Sequence, residues 1–399
     1  MLHDRVHGLD ARCPSKLAHL GELVLVVGSG RENREDHAAF EVREVPGSLH
    51  AGNYARRSRR IRDMESLADR TLELVNIPSE SRAEDAAIEY VRAAMPTAPV
   101  YDDDTVLFWP GRVVLAGHVD TVPAQDNRPG SLDGGWVVGL GASDMKGGCA
   151  VMLELARVAA PFGFLFFGRE ELPAGESALP QFFERHGLDC ELVVMMEPTD
   201  NEIHAGCLGN LNARVVFRGE SAHSARPWTG VNAISLAIDG LAPLAHVEPR
   251  DVAIQGLVFR EVVSITGISG GIATNVVPAE ATAVLNFRYA PDRDSAGAEE
   301  FLRTLVGDRG DLELAGNSPP GRVAAESPLV RVLRDVGDFA VAPKQAWTPV
   351  AEFSAQGLDA INFGPGATRY AHRQDERVAI AELQRSYDAL LRFAATVSA

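Results

Sequence analysis

Cysteine is scarce in this chain and never paired. The four residues Cys13, Cys149, Cys190 and Cys207 are scattered, with no Cys-x-x-Cys spacing. That excludes a disulfide framework and a cysteine-built zinc site, and it points to a reducing compartment. Long apolar runs are lacking too. None reaches the roughly 20 residues that a membrane-spanning helix needs. The run Leu23 to Val27 is too short for a secretory core and has no small-residue cleavage pattern. The expected location is the cytoplasm, with no membrane partner. Positive charge is in deficit, with 38 Lys and Arg against 55 Asp and Glu and a net charge of −17. This argues against nucleic acid or an anionic membrane surface as a partner. No internal repeat or low-complexity tract occurs.

What is present suits two domains. A chain of 399 residues with 46% apolar content can bury a large core. Residues 1–63 do not share the pattern that follows. They end in a basic cluster, Arg56, Arg57, Arg59, Arg60 and Arg62. Gly28-Ser29-Gly30 lacks the third glycine and following helix of a nucleotide loop. This segment is expected to be an extension, disordered or upstream of a natural start at Met64. From Met64 onward, apolar strands alternate with amphipathic helices, the signature of an α/β layer.

Chemistry-bearing residues recur where apolar runs end. Val113 to Ala116 leads into His118, Val119 and Asp120, and a Gly-flanked loop then carries Asp144 ahead of an apolar helical run. The Phe-rich run from 162 to 167 ends in Glu170 and Glu171, and the run from 192 to 196 ends in Glu197-Pro198. Adjacent acids at the end of a buried strand are costly without partners. In open α/β sheets the ligand crevice lies at such strand ends. These residues are therefore expected to converge on one rim. His372 follows in a Gly/Pro-opened loop before the last helix.

Between about 210 and 318 the rhythm changes to strand-helix-strand-strand-helix-strand. That order predicts an inserted ferredoxin-like α+β domain. It divides the catalytic domain into 64–209 and 319–399. Val284, Asn286 and Arg288 fall on one side of a strand within the insert.

Two histidines and several carboxylates suit a pair of zinc-type ions, each taking one His and one terminal Glu with an Asp between them. Ions about 3.5–4 Å apart can share a hydroxide and stabilise the oxyanion. A free glutamate beside them would move the proton.

Gly-His-Val-Asp-Thr-Val-Pro, Ser-Asp-Met-Lys-Gly-Gly, Glu-Glu, Glu-Pro-Thr and the late His372 resemble the dinuclear zinc aminoacylase and carboxypeptidase G-type metallopeptidase family. The resemblance runs from about Met64 to the end. It implies a zinc-peptidase-like α/β domain with a central mixed sheet, the insert serving as lid and dimerisation domain of a homodimer. It implies two divalent ions, Zn2+ with Co2+ or Mn2+ as substitutes. His118 and Glu197 would bind one, Glu171 and His372 the other, and Asp144 would bridge. Asp120 would orient His118, Glu170 would be the general acid/base, and His223 would help hold the oxyanion, its own subunit's or the partner's. Asn275, Arg288 and Arg226 would hold polar groups of a small N-acyl amino acid. The substrate implied is N-succinyl-LL-2,6-diaminopimelate. Other N-acyl amino acids such as N-acetylornithine, a carboxypeptidase or dipeptidase activity, and a silent acyl-amino-acid-binding relative are the alternatives. Two positions depart from the branch. Pro349 stands where an aspartate is usual and Glu352 where an arginine is, in a loop expected near the substrate's far end.

Overall fold

The computed structural model describes residues 66–398. The predicted extension 1–63, with its arginine cluster and Gly28-Ser29-Gly30, lies outside the described residues.

An eight-stranded mixed sheet forms the larger layer. Its order is Tyr101–Asp102, Val106–Trp109, Gly163–Phe167, Val113–His118, Leu192–Met195, Ala360–Asn362, Ile203–Cys207, Val341–Lys344. Val113–His118 runs parallel to both Gly163–Phe167 and Leu192–Met195. All residues of these three strands are buried. That is why they read as continuous apolar runs rather than alternating ones. Each buried Phe or Leu here contributes roughly 1.5–3 kcal/mol.

Helices shield the sheet. Gly147–Arg157 and Ile380–Val397 pack on each other, and Pro328–Gly337 packs on the latter. The helix at 66–76 and Asp85–Ala94 add to the same core. No described helix is long and apolar enough to cross a membrane.

A second hydrophobic core belongs to residues between 211 and 306. Five antiparallel strands lie in the order Arg250–Ile254, Leu257–Gly270, Glu280–Tyr289, Gly209–Arg218, Asp311–Ser318. Helices Ala233–Leu241 and Ser295–Val306 pack on this sheet. Asn232 caps the first by accepting from Ile234 N and Ser235 N, and Asp294 caps the second by accepting from Gly297 N. Setting aside Arg250–Ile254, the connectivity is ferredoxin-like. That extra edge strand escaped the sequence reading. It belongs to a two-residue hairpin at Gln255 and Gly256, both with positive φ, pairing Ile254 with Leu257.

Leu211, Ala213, Val215 and Phe217 point into the second core, as do Ala283, Leu285 and Phe287. Period-two geometry sends their neighbours to the other face. Asn210, Asn212, Asn286 and Arg288 stand there, in cross-strand register Asn210 with Arg288 and Asn212 with Asn286.

Candidate metal centre and substrate cavity

Register explains why the site residues meet. His118 is the last residue of its strand and pairs with Phe167, three residues before Glu170. Met195 pairs with Ala116, which brings Glu197 to the same rim. Glycines let the Glu197 segment be clasped. A Cβ on Gly148 or Gly364 would stand 2.4 or 2.3 Å from the Met196 carbonyl oxygen. Asp144 sits in the turn Ala142–Lys146, where the backbone leaves helical geometry just before the long helix begins.

Three groups of donor atoms could each hold an ion: His118, Glu170 and Glu171; His118, Asp144 and Glu197; and Asp144, Glu171 and His372, the last two sharing Asp144. Within each, the donor atoms all lie within 4.8 Å of one another. His118 Nε2 is 3.3 Å from Asp144 Oδ1 and 3.8 Å from Glu197 Oε1. His372 Nε2 is 2.9 Å from Glu171 Oε1 and 3.5 Å from Asp144 Oδ2. His372 has φ +59, a left-handed conformation uncommon outside glycine and recurrent at functional turns.

Asp120 is fully buried and does more than touch one histidine. Its backbone oxygen lies 3.1 Å from His118 Nδ1, with its carboxylate Oδ1 at 3.4 Å. The same carboxylate accepts the backbone N–H groups of Glu170 and Glu171, at 3.1 and 3.2 Å, and the Ser81 hydroxyl at 2.7 Å. One side chain thus fixes His118 and the acid-bearing turn together.

The electrostatics fit divalent cations. Burial opposes the charged form of His118, but hydrogen bonds to Asp120 and Asp144 prevail and hold it well above its usual range. Hydrogen bonding to Glu171 raises His372 to about 9. Burial, then repulsion from Asp144, pushes Glu197 up to about 7. Burial and the neighbouring acids Glu197, Glu171 and Asp144 hold Glu170 well above the ordinary carboxylate range. Crowded oxygen and imidazole donors that resist sharing a space as bare anions are what a pair of cations stabilises.

These residues open into a cavity of about 1010 Å³. Asp144, Glu170, Glu171, Glu197 and His372 line one side, and Asn210, Asn212 and Arg288 of the second sheet line another. Arg288 donates through Nε to Asn286 Oδ1 at 2.9 Å, and burial lowers its pKa. Three expected residues lie elsewhere, the oxyanion candidate His223 and the substrate-binding candidates Arg226 and Asn275. His223, Arg226 and Asn275 are exposed and do not line this cavity. They keep company with one another. His223 pairs with Val276, and Ser224 N donates to the Asn275 carbonyl at 3.0 Å. Trp228 and Ile272 nearby in sequence are 78% and 87% exposed.

Sequence reasoning missed Glu376. It is buried and accepts the backbone N–H groups of Gly141, Ser143 and Asp144 at 2.9, 3.0 and 2.9 Å. The signal was an acid four residues after His372, directly before the short strand Arg377–Ala379. Lys344, a buried cation in the same cavity, was also missed.

The chain is 35% identical over 344 residues to a putative succinyl-diaminopimelate desuccinylase of Mycobacterium tuberculosis, covering 81% of this chain and 96% of that one. It is 34% identical over 340 residues to the succinyl-diaminopimelate desuccinylase of Corynebacterium glutamicum, covering 78% and 92%. Its fold matches the Bacillus subtilis YXEP protein, described as a dinuclear metal binding peptidase, with TM-score 0.59 at 15% identity over 84% of this chain and 99% of that one. The model of peptidase family M20/M25/M40 matches residues 114–396. With relatives of that similarity across most of its length, the chain belongs to peptidase family M20/M25/M40.

Proposed function

We propose that this chain is a metal-dependent amide hydrolase that converts N-succinyl-LL-2,6-diaminopimelate and water to succinate and LL-2,6-diaminopimelate, a precursor in lysine synthesis. The observation that carries the hydrolase reading is the pair of donor groups hinged on Asp144. The names of the two desuccinylase relatives support the substrate.

In this reading His118, Asp144 and Glu197 would hold one ion, and Asp144, Glu171 and His372 the other. Zn2+ suits nitrogen and carboxylate donors, and Co2+ or Mn2+ accept the same set. When bound, such a pair acidifies water and polarises the amide carbonyl. Glu170 would take a proton from the attacking water and deliver it to the departing amine nitrogen. Burial, with the acids crowded around it, keeps its carboxyl basic enough to do so. Asp120 fixes the direction of His118 and the backbone of the Glu170–Glu171 turn. Arg288 and the asparagines beside it hold the succinyl carboxylate, since a guanidinium can clamp a carboxylate through two parallel hydrogen bonds.

His223, Arg226 and Asn275 act across a homodimer, reaching the partner's cavity. Their exposure beside Trp228 and Ile272 supports this.

The departure at Glu352 leaves the acyl group to be tested: this residue lies on the helix Val350–Ala355, accepts a hydrogen bond from Ser177 at 3.4 Å and does not line the cavity of the donor groups. A substrate panel decides. The metal-loaded enzyme should release succinate from N-succinyl-LL-2,6-diaminopimelate at least tenfold faster than acetate from N-acetylornithine. The reverse order transfers the assignment to an N-acetyl amino acid, and no turnover of any N-acyl amino acid or dipeptide removes the hydrolase reading.

A further inference from the structure

Lys344 is a cation in the cavity that the metal cluster does not use. It ends the edge strand Val341–Lys344, is 5% exposed and lines the same space as Asp144, Glu170 and Glu197. An ammonium carries three donors. Among the described residues the acceptor that Lys344 Nζ reaches is the Pro198 carbonyl oxygen, at 3.5 Å. It makes no ion pair among the described residues. A buried charge held this loosely costs free energy unless an anion completes it.

The acids nearby are not that anion. Lys344 steadies the charged forms of Asp144 and Glu197 through space, without contact. On the hydrolase reading above, on which this inference rests, two dications would balance the four carboxylates Asp144, Glu170, Glu171 and Glu197. The ammonium is then left facing a neutralised cluster and still lacks a partner.

The missing partner is a group that arrives with the substrate. Arg288 enters from the second sheet, whereas Lys344 stands on the same sheet as His118 and beside the Glu197-Pro198 turn. In an N-acyl amino acid the α-carboxylate is two bonds from the scissile nitrogen. It is therefore tethered close to the reacting amide, while the acyl chain's terminal carboxylate extends away. We infer that Lys344 is the specificity-determining anchor for the α-carboxylate of the amino-acid half, with Arg288 left to the acyl half.

The test is a cycle of enzyme and substrate changes. Wild type and Lys344→Met are assayed, metal-loaded, on whichever N-acyl amino acid wild type turns over best. Each is also assayed on the derivative whose α-carboxylate is a primary carboxamide. Wild type should prefer the carboxylate by roughly 10–100-fold in kcat/KM, mostly through KM, as expected for a hydrogen bond between charged groups. Lys344→Met should lose that preference, its loss on the carboxylate exceeding its loss on the carboxamide by that same factor. Lys344→Arg should recover part of it. Undiminished preference in Lys344→Met overturns the proposal. So does an equal loss on both compounds, or a preference that instead follows succinyl against acetyl. Lower metal content with the preference intact would make Lys344 a counter-charge to the acids and also overturn it. A wrong acyl group shows in the wild-type panel alone, so the two readings fail separately.

Discussion

The cluster around Asp144 and the patch around His223 were equally conspicuous as motifs, yet the fold treats them oppositely. Asp144 is drawn into contact with His118 and His372 by side chains and backbone that belong to one sheet and its loops. His223, Arg226 and Asn275 are left in solvent on the second sheet's domain. A constellation built within one packed layer is completed by folding. One divided between layers needs a further association or movement before it can act.

The largest effect expected from breaking this comparison lies on the folded side. Glu170→Gln should lower kcat by roughly 10²–10⁴-fold, the usual span for general acid–base work. Metal content measured by atomic emission should stay at the wild-type value. A variant that keeps its turnover would exclude Glu170 as the proton carrier.

The exposed side is tested by His223→Ala. Loss of an oxyanion donor costs roughly 10²–10³-fold in kcat. If His223 serves the partner's cavity, an equimolar mixture of Glu170→Gln and His223→Ala chains, refolded together, should regain about a quarter of wild-type activity, because half the random dimers carry one intact site. A mixture as inactive as its components would place His223 in its own chain's cavity or in no site.

The smallest effect concerns Glu352, on the helix Val350–Ala355, where the sequence departs from the branch. Burial pushes the Glu352 carboxyl up to about 7, against a hydrogen bond from Ser177 that lowers it. The folded state therefore holds this proton more tightly than the unfolded chain. Stability from this group is full below the ordinary carboxylate pKa, falls as pH rises toward 7 and is flat beyond. Glu352→Gln should remove that decline, narrowing the gap in unfolding free energy between pH 5 and pH 8 by about 1 kcal/mol after solvent screening. Denaturant titrations at the two pH values measure it. An unchanged gap would mean that Glu352 titrates as an ordinary surface acid.

Legibility from sequence followed the same division. The buried strands announced themselves as apolar runs, and the acids at their ends marked the rim without any knowledge of register. The edge strand Val341–Lys344 did not, because it is short, half-buried and contains Pro343. With it went Lys344, whose chemistry depends on burial that no local pattern reveals. Glu376 was hidden for a related reason. Its partners are backbone N–H groups more than two hundred residues earlier, and sequence carries no trace of a main-chain donor. The contact between Asp120 and the Glu170–Glu171 backbone is likewise a product of register. That His118 and Asp120 would act together was readable, but the hold on the acid turn was not.

Glu376 and His372 bear on how the enzyme is made. A ribosome that has delivered residues 66–371 has supplied all the strands of both large sheets and every carboxylate of the cluster. It has not supplied the imidazole that faces Glu171, nor the carboxylate that pins the main chain at Asp144. On the proposed ligand assignment, a product terminated before residue 372 would lack one donor of the group Asp144, Glu171 and His372, while the group His118, Asp144 and Glu197 would be complete.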